Sequence, residues 1–182
     1  MDHASLYRRV MGSDFAVLAP ELQRFHSVQG RIRLSGSCTI LGAETAPARW
    51  IGRLLGLPPA CFEAPMSFVL DADAEREIWE RGFPGRRMVS CLRARGTRLV
   101  ERLGPVTLWM DLEPADRLLI MRLKKVSVFG LPWPSFLLPR LSAVERTEAG
   151  RLHFDIEIGL PVLGRMVAYR GHLDLATAEA AA

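Results

Sequence analysis

The residues best placed to do chemistry lie in "EREIWERGFPGRRMVSCLRARG", Glu75 to Gly96. Read as a strand, this stretch puts Trp79, Arg81 and Phe83 on one face, because side chains change faces at every step. A guanidinium between two large rings has three uses. On a surface it stacks, for roughly 0.5–1 kcal/mol. In a filled core it needs a carboxylate, since an unpaired buried charge is too costly. In an apolar pocket it orients the acidic head of a ligand. Glu101, which alternates with Leu99 and Leu103 in "RLVERLG", is the internal candidate for a partner. All three readings stay open at this level.

The rest of the chain offers little chemistry. His3, His26, His153 and His172 are isolated, and none is spaced as a metal ligand pair. His153 and His172 fall on polar strand faces, and His26 ends a helical stretch, where a cation suits the macrodipole. Asp155 and Glu157 share a face, but the basic strand "YRGH" is their natural partner. Cys38, Cys61 and Cys91 form no CxxC pair, and neither Cys61 nor Cys91 has a base nearby in sequence to activate it. GxGxxG, GxxxxGK[ST], HExxH and GxSxG are all missing. We therefore expect no catalytic residue, no metal site and no cofactor. The net charge is +4 over 182 residues, with arginines scattered along the whole chain. A nucleic-acid face would gather them with stacking aromatics between, so nucleic acid is not the expected partner. No apolar run approaches the roughly 20 residues of a membrane-spanning helix. The start carries no apolar leader segment and the odd cysteine count argues against a disulfide framework, so the expected location is cytoplasmic.

The elements that must position Arg81 follow from periodicity. Helical spacing covers residues 4–27, broken near Gly12 and Pro20, and residues 46–57, with "GRIRLSGSCTILGA" between them as a short strand or hairpin. From residue 61 to 175 the period falls to two, with turn signals at "RARGT", "RLGPV", "EPAD" and "TEAGR". Turns that short make neighbours antiparallel. Pro65 marks a bulge or an edge, and the tail 176–182 reads as frayed. The expectation is one α+β domain over 1–182: N-terminal helices packed on a large curved antiparallel sheet or open barrel of about seven to nine strands. Leu152, Phe154, Ile156 and Ile158 mark its inner face, as do Val106, Leu108, Met110 and Leu112. So do Leu163, Val167, Tyr169 and Leu173, with Arg165 on the same face, which adds Tyr169 to the pocket candidates.

Five ordered blocks carry a resemblance: "LYRRVMGSDFAVLAPELQRFH", "WERGFPGRRMVS", "VERLGPVTL", "FGLPWPSFLLPR" and "GRLHFDIEIGLPVLGRMVAYRGHL". From about Leu6 to Leu173 the chain resembles the bacterial family called domain of unknown function 4166. Similar domains occur alone or behind an NAD(P)-binding, saccharopine-dehydrogenase-like domain, a half that this chain lacks. The resemblance implies an identity and no mechanism, and its Trp-x-Arg-x-Phe stretch falls on Trp79, Arg81 and Phe83. The expected function is a non-catalytic binding domain, with Trp79, Arg81, Phe83, Glu101 and Tyr169 around an apolar pocket for a lipid-like or acidic small molecule. Two alternatives stand beside it. One is an interaction module, accessory to an NAD(P)-dependent dehydrogenase, that docks through "LPWPSFLLPR". The other is an enzyme of unrecognised type.

Overall fold

The computed structural model describes residues 4–180; His3 and the last two residues of the tail expected to fray, 181–182, lie outside them. Three short helical pieces come first. Helix α1 (Leu6–Met11) is capped by the Ser5 hydroxyl, which accepts from the Arg8 amide. A 3-10 turn follows over Gly12–Val17, and helix α2 (Pro20–Phe25) begins with proline in its first turn, where a missing N–H costs no hydrogen bond. Helices this short do not stand alone in water. They are held by burying Leu6, Tyr7, Val10, Phe15, Leu22 and Phe25 against the strands.

Strand β1 (Gly30–Leu41) leads into helix α3 (Ala46–Leu54), N-capped by Thr45. An antiparallel meander follows: β2 (Cys61–Ala72), β3 (Arg76–Phe83), β4 (Arg86–Arg95), β5 (Arg98–Leu103), β6 (Val106–Ala115) and β7 (Leu118–Val128). After a two-residue strand, β8 (Leu131–Pro132), come β9 (Arg140–Glu148), β10 (Arg151–Leu160), β11 (Gly164–Asp174) and the short β12 (Glu179–Ala180). Strand β11 returns to pair with β1, so ten strands form a closed antiparallel barrel. The α+β expectation of a curved sheet or open barrel is corrected here: the chain is mostly β and its sheet closes. Closure turns on two glycines at the β1–β11 seam. A Cβ at Gly36 would run into the His172 carbonyl, and one at Gly171 into the Ser37 carbonyl. Without side chains there, the first and last long strands approach closely enough to exchange hydrogen bonds.

The tail continues the seam, with β12 pairing with Ile32 and Arg33 of β1. Pro65 pairs with Ser37 of β1 but lies beyond the β2–β3 ladder, which starts at Ser67. The outer wall carries cross-strand ion pairs, including Arg98–Asp111 (3.0 Å), Arg122–Glu113 (2.6 Å) and the expected Arg170–Asp155 (3.6 Å). The N-terminal helices close one end, packing on β4, β5, β6 and β9, and the Ala19 amide donates to the Arg117 carbonyl in the β6–β7 turn. At the other end stand α3, the β3–β4 and β5–β6 turns, the long 129–139 connection and the β10–β11 turn. No helix among the described residues is long and apolar enough to cross a membrane.

Candidate functional site

Strand β3 points Glu77, Trp79, Arg81 and Phe83 into the barrel, and all four are buried. Arg81 is 7% exposed, so the surface-stack reading fails. Its Nη1 donates to Ser90 Oγ on β4 (3.1 Å) and its Nη2 to Glu101 Oε1 on β5 (3.2 Å). The guanidinium carbon lies 5.0 Å from the centre of the Trp79 ring. Burial works against the charge, but the Glu101 carboxylate, with smaller contributions from Tyr169 and Tyr7, offsets it and holds the guanidinium protonated. Two of its five N–H donors are occupied by these bonds, so donors remain for a ligand.

Trp79, Arg81, Glu101 and Tyr169 line one small cavity of about 60 Å³ with Glu145 and a set of apolar residues. Phe83 lines no part of it; its ring packs edge-on against Tyr169, centroids 5.8 Å apart. Burial pushes the Tyr169 hydroxyl above its ordinary value, so it stays a neutral donor.

A second polar layer, not anticipated from sequence, lies where α1 and α2 enter the barrel. The Tyr7 ring stacks on His26 at 3.8 Å, and His26 Nε2 is 2.8 Å from Glu145 Oε2. His26 does end α2, but as a buried partner of a β9 carboxylate rather than as an exposed cation at a helix terminus, because the helix end is pressed into the barrel. The hydroxyl of Tyr7 and Nδ1 of His26 have no partner among the described residues. Trp79 Nε1 donates to Glu77 Oε2 at 2.9 Å. Sequence did hold a signal for the carboxylates: Glu77 is in phase with Trp79 and Arg81, and Glu145 with Leu141 and Ala143.

Burial raises the Glu77 carboxyl above its ordinary range, which carries a prediction. A raised folded-state value means that folding favours the protonated form. The contribution is therefore full below the ordinary carboxylate range and is lost as pH rises through the raised value. Glu77→Gln keeps an oxygen acceptor for Trp79 and removes the charge. Its melting temperature should exceed the parent's at neutral pH, with the gap closing as the pH is lowered toward 4. Parallel melting curves across that range would refute this account of Glu77.

An apolar cavity lies not beside Arg81 but above it, at the barrel end opposite the N-terminal helices. It measures about 290 Å³, and every lining residue is apolar: Leu103, Leu108, Leu123, Val126, Leu141 and Ile158 among them from the barrel wall, Ile51 and Leu55 from α3, and Trp133 and Pro139 from the 129–139 connection. Leu103, Leu108, Leu141 and Ile158 also line the small cavity around Arg81, so these four stand between the two. Two β-bulges shape the wall. An extra residue near Lys124 lets both Leu123 and Val126 face inward despite their odd spacing. Another near Met166 puts that residue into the cavity wall beside the inward-facing Val167 and Tyr169. The alternation read from "LGRMVAYRGHL" is thereby broken: Arg165 donates to the Gly42 carbonyl and pairs with Glu44 instead of joining Tyr169.

Burial pushes the Cys38 thiol up to about 11, far from a thiolate nucleophile at neutral pH. Among the described residues, no three His, Cys, Asp or Glu side chains gather as a metal site requires. The family model described as "Domain of unknown function (DUF4166)" matches residues 18–173, from the end of the N-terminal 3-10 turn through the last residues of β11. No curated protein matches the chain.

Proposed function

The chain belongs to the domain of unknown function (DUF4166) family, and we propose that it is a non-catalytic binding domain for a lipid-like molecule with one polar or acidic head group. The observation that carries this reading is the 290 Å³ apolar cavity, which shares Leu103, Leu108, Leu141 and Ile158, the neck in this reading, with the small cavity beside Arg81. Small closed barrels are wide enough to hold one such ligand, and apolar sites gain specificity from a few placed polar groups. In this reading the hydrocarbon fills the upper cavity. The head group passes the neck to meet free donors of Arg81 and the Tyr169 hydroxyl, while Trp79 and Glu101 fix the guanidinium. Phe83 acts by positioning Tyr169.

The alternative, an accessory module docking a dehydrogenase through "LPWPSFLLPR", draws on the exposure of Leu131 and Phe136. It is the weaker reading because the same loop turns Trp133 and Pro139 into the cavity wall, with Trp133 Nε1 anchored on the Leu137 carbonyl at 2.7 Å. The loop serves the pocket first. Titration of the delipidated protein with fatty acids of increasing chain length tests the proposal. We expect one molecule bound per chain, with affinity rising about fourfold per added CH₂ until the cavity is full. Absence of saturable binding for every acid and its matching alcohol would reject it.

A further inference from the structure

We propose that the open end of the barrel docks on the surface of an anionic lipid bilayer, placing the cavity mouth where an apolar ligand can enter from the membrane. The inference rests on the binding reading above for its purpose, but on separate observations for its substance.

The first is where the exposed apolar side chains lie. Trp50 and Leu54 of α3 are 64% and 67% exposed; Phe129, Leu131 and Phe136 of the 129–139 connection are 72–81% exposed; Val162 of the β10–β11 turn is 97% exposed. The first two segments also supply lining residues of the apolar cavity, and Leu160, beside the β10–β11 turn, lines it from the end of β10, so the six side chains lie around its mouth. On α3 the spacing is deliberate: Ile51 and Leu55 face the cavity while Trp50 and Leu54, one residue earlier in each turn, face out. A short helix with Trp and Leu on one side and arginine beside them suits the bilayer interface, where apolar tips enter the acyl boundary and cations meet headgroups.

The second observation is charge. The segments that build this end carry Arg49, Arg53, Arg86, Arg87, Arg140 and Arg165 against Glu44, which pairs with Arg165, and Glu63. Arg49, Arg53, Arg86 and Arg140 are exposed and make no ion pair among the described residues. The opposite end mixes both signs: its turns set Asp73, Glu75, Asp116 and Glu148 beside Arg76, Arg95, Arg98, Arg117 and Arg151. What sets the mouth apart is unpaired arginine beside exposed apolar side chains, a combination that favours an anionic surface. A protein partner has no need of apolar points spread around a cavity mouth in three separate segments, whereas a fluid bilayer accepts them without matching shape.

Flotation with vesicles tests this. The parent should bind vesicles of equal parts phosphatidylcholine and phosphatidylglycerol, bind pure phosphatidylcholine much less, and release on raising salt. Trp50→Asp with Phe136→Asp should abolish binding, and Arg49→Glu with Arg53→Glu should weaken it about tenfold or more. Melting curves confirm that these surface variants fold. No binding of the parent to anionic vesicles, or binding indifferent to both pairs of substitutions, would overturn the proposal. So would self-association of the parent that the apolar pair abolishes, in the absence of vesicle binding, since the rim would then be a contact between copies. A variant with its cavity blocked, such as Leu108→Trp, should keep vesicle binding while losing fatty acid. Vesicle binding with no fatty-acid binding by the parent would reject the pocket and leave the docking surface standing, and the converse pattern would do the reverse.

Discussion

Arg81→Met will lower the stability of this protein by roughly 3–5 kcal/mol, because it leaves the Glu101 carboxylate in the barrel interior without its cation. Arg81 and Glu101 are 3.2 Å apart with side chains 8% and 14% exposed, so water replaces little of the lost interaction. The Ser90 hydroxyl loses its donor in the same step. Glu101→Gln made together with Arg81→Met removes the stranded charge, and the double variant should recover most of the loss. Denaturant melts of the two singles and the double read this directly. A single Arg81→Met variant as stable as the parent would show that the pair contributes nothing to folding. The double variant also isolates the head-group role. If Arg81 meets the ligand, its fatty-acid affinity should fall by about 1.5–3 kcal/mol, the value of a hydrogen bond to a charged group, while affinity for the matching alcohol changes less.

Much of this pair was legible in the sequence, since a strand's period of two places Arg81 with Trp79 and Glu101 with Leu99 whatever the fold around them. Alternation says which residues share a face. It does not say how far the sheet continues or what lies at its ends. Closure depends on β1 meeting β11, more than a hundred residues apart, through Gly36 and Gly171, and neither glycine differs locally from one in a turn. The cavity wall was not legible for a related reason: in "MRLKKVSV" the apolar positions Met121, Leu123, Val126 and Val128 switch parity, and the bulge at Lys124 is what keeps them on one face. A parity switch beside two lysines is a bulge signal that period counting alone passes over. The Tyr7–His26–Glu145 layer had no such signal, because it is assembled by helix ends entering the barrel from a distant part of the chain.

Leu108→Trp should cost about a hundredfold in fatty-acid affinity while leaving the protein folded. Leu108 stands in the neck between the apolar cavity and the space beside Arg81. An indole there occupies volume that a hydrocarbon chain would otherwise fill and bars the head group from the guanidinium. Excluding about four methylenes, at about 0.8 kcal/mol each, amounts to roughly 3 kcal/mol, or two orders of magnitude in Kd. The same substitution in a filled core would strain its neighbours and cost 1–3 kcal/mol of stability. Beside a cavity of 290 Å³ the indole has room, and melting should stay close to the parent's or rise. Stability and binding thus move in opposite senses only if the cavity is the ligand's place. Thr107→Trp is the control, since Thr107 sits on the outer face of the same strand, opposite Ser127 and Arg102. It adds the same ring without entering the barrel and should leave affinity unchanged. If Leu108→Trp binds fatty acid as tightly as the parent, the ligand sits elsewhere. If both tryptophans weaken binding alike, the loss comes from disturbing β6 and says nothing of the neck.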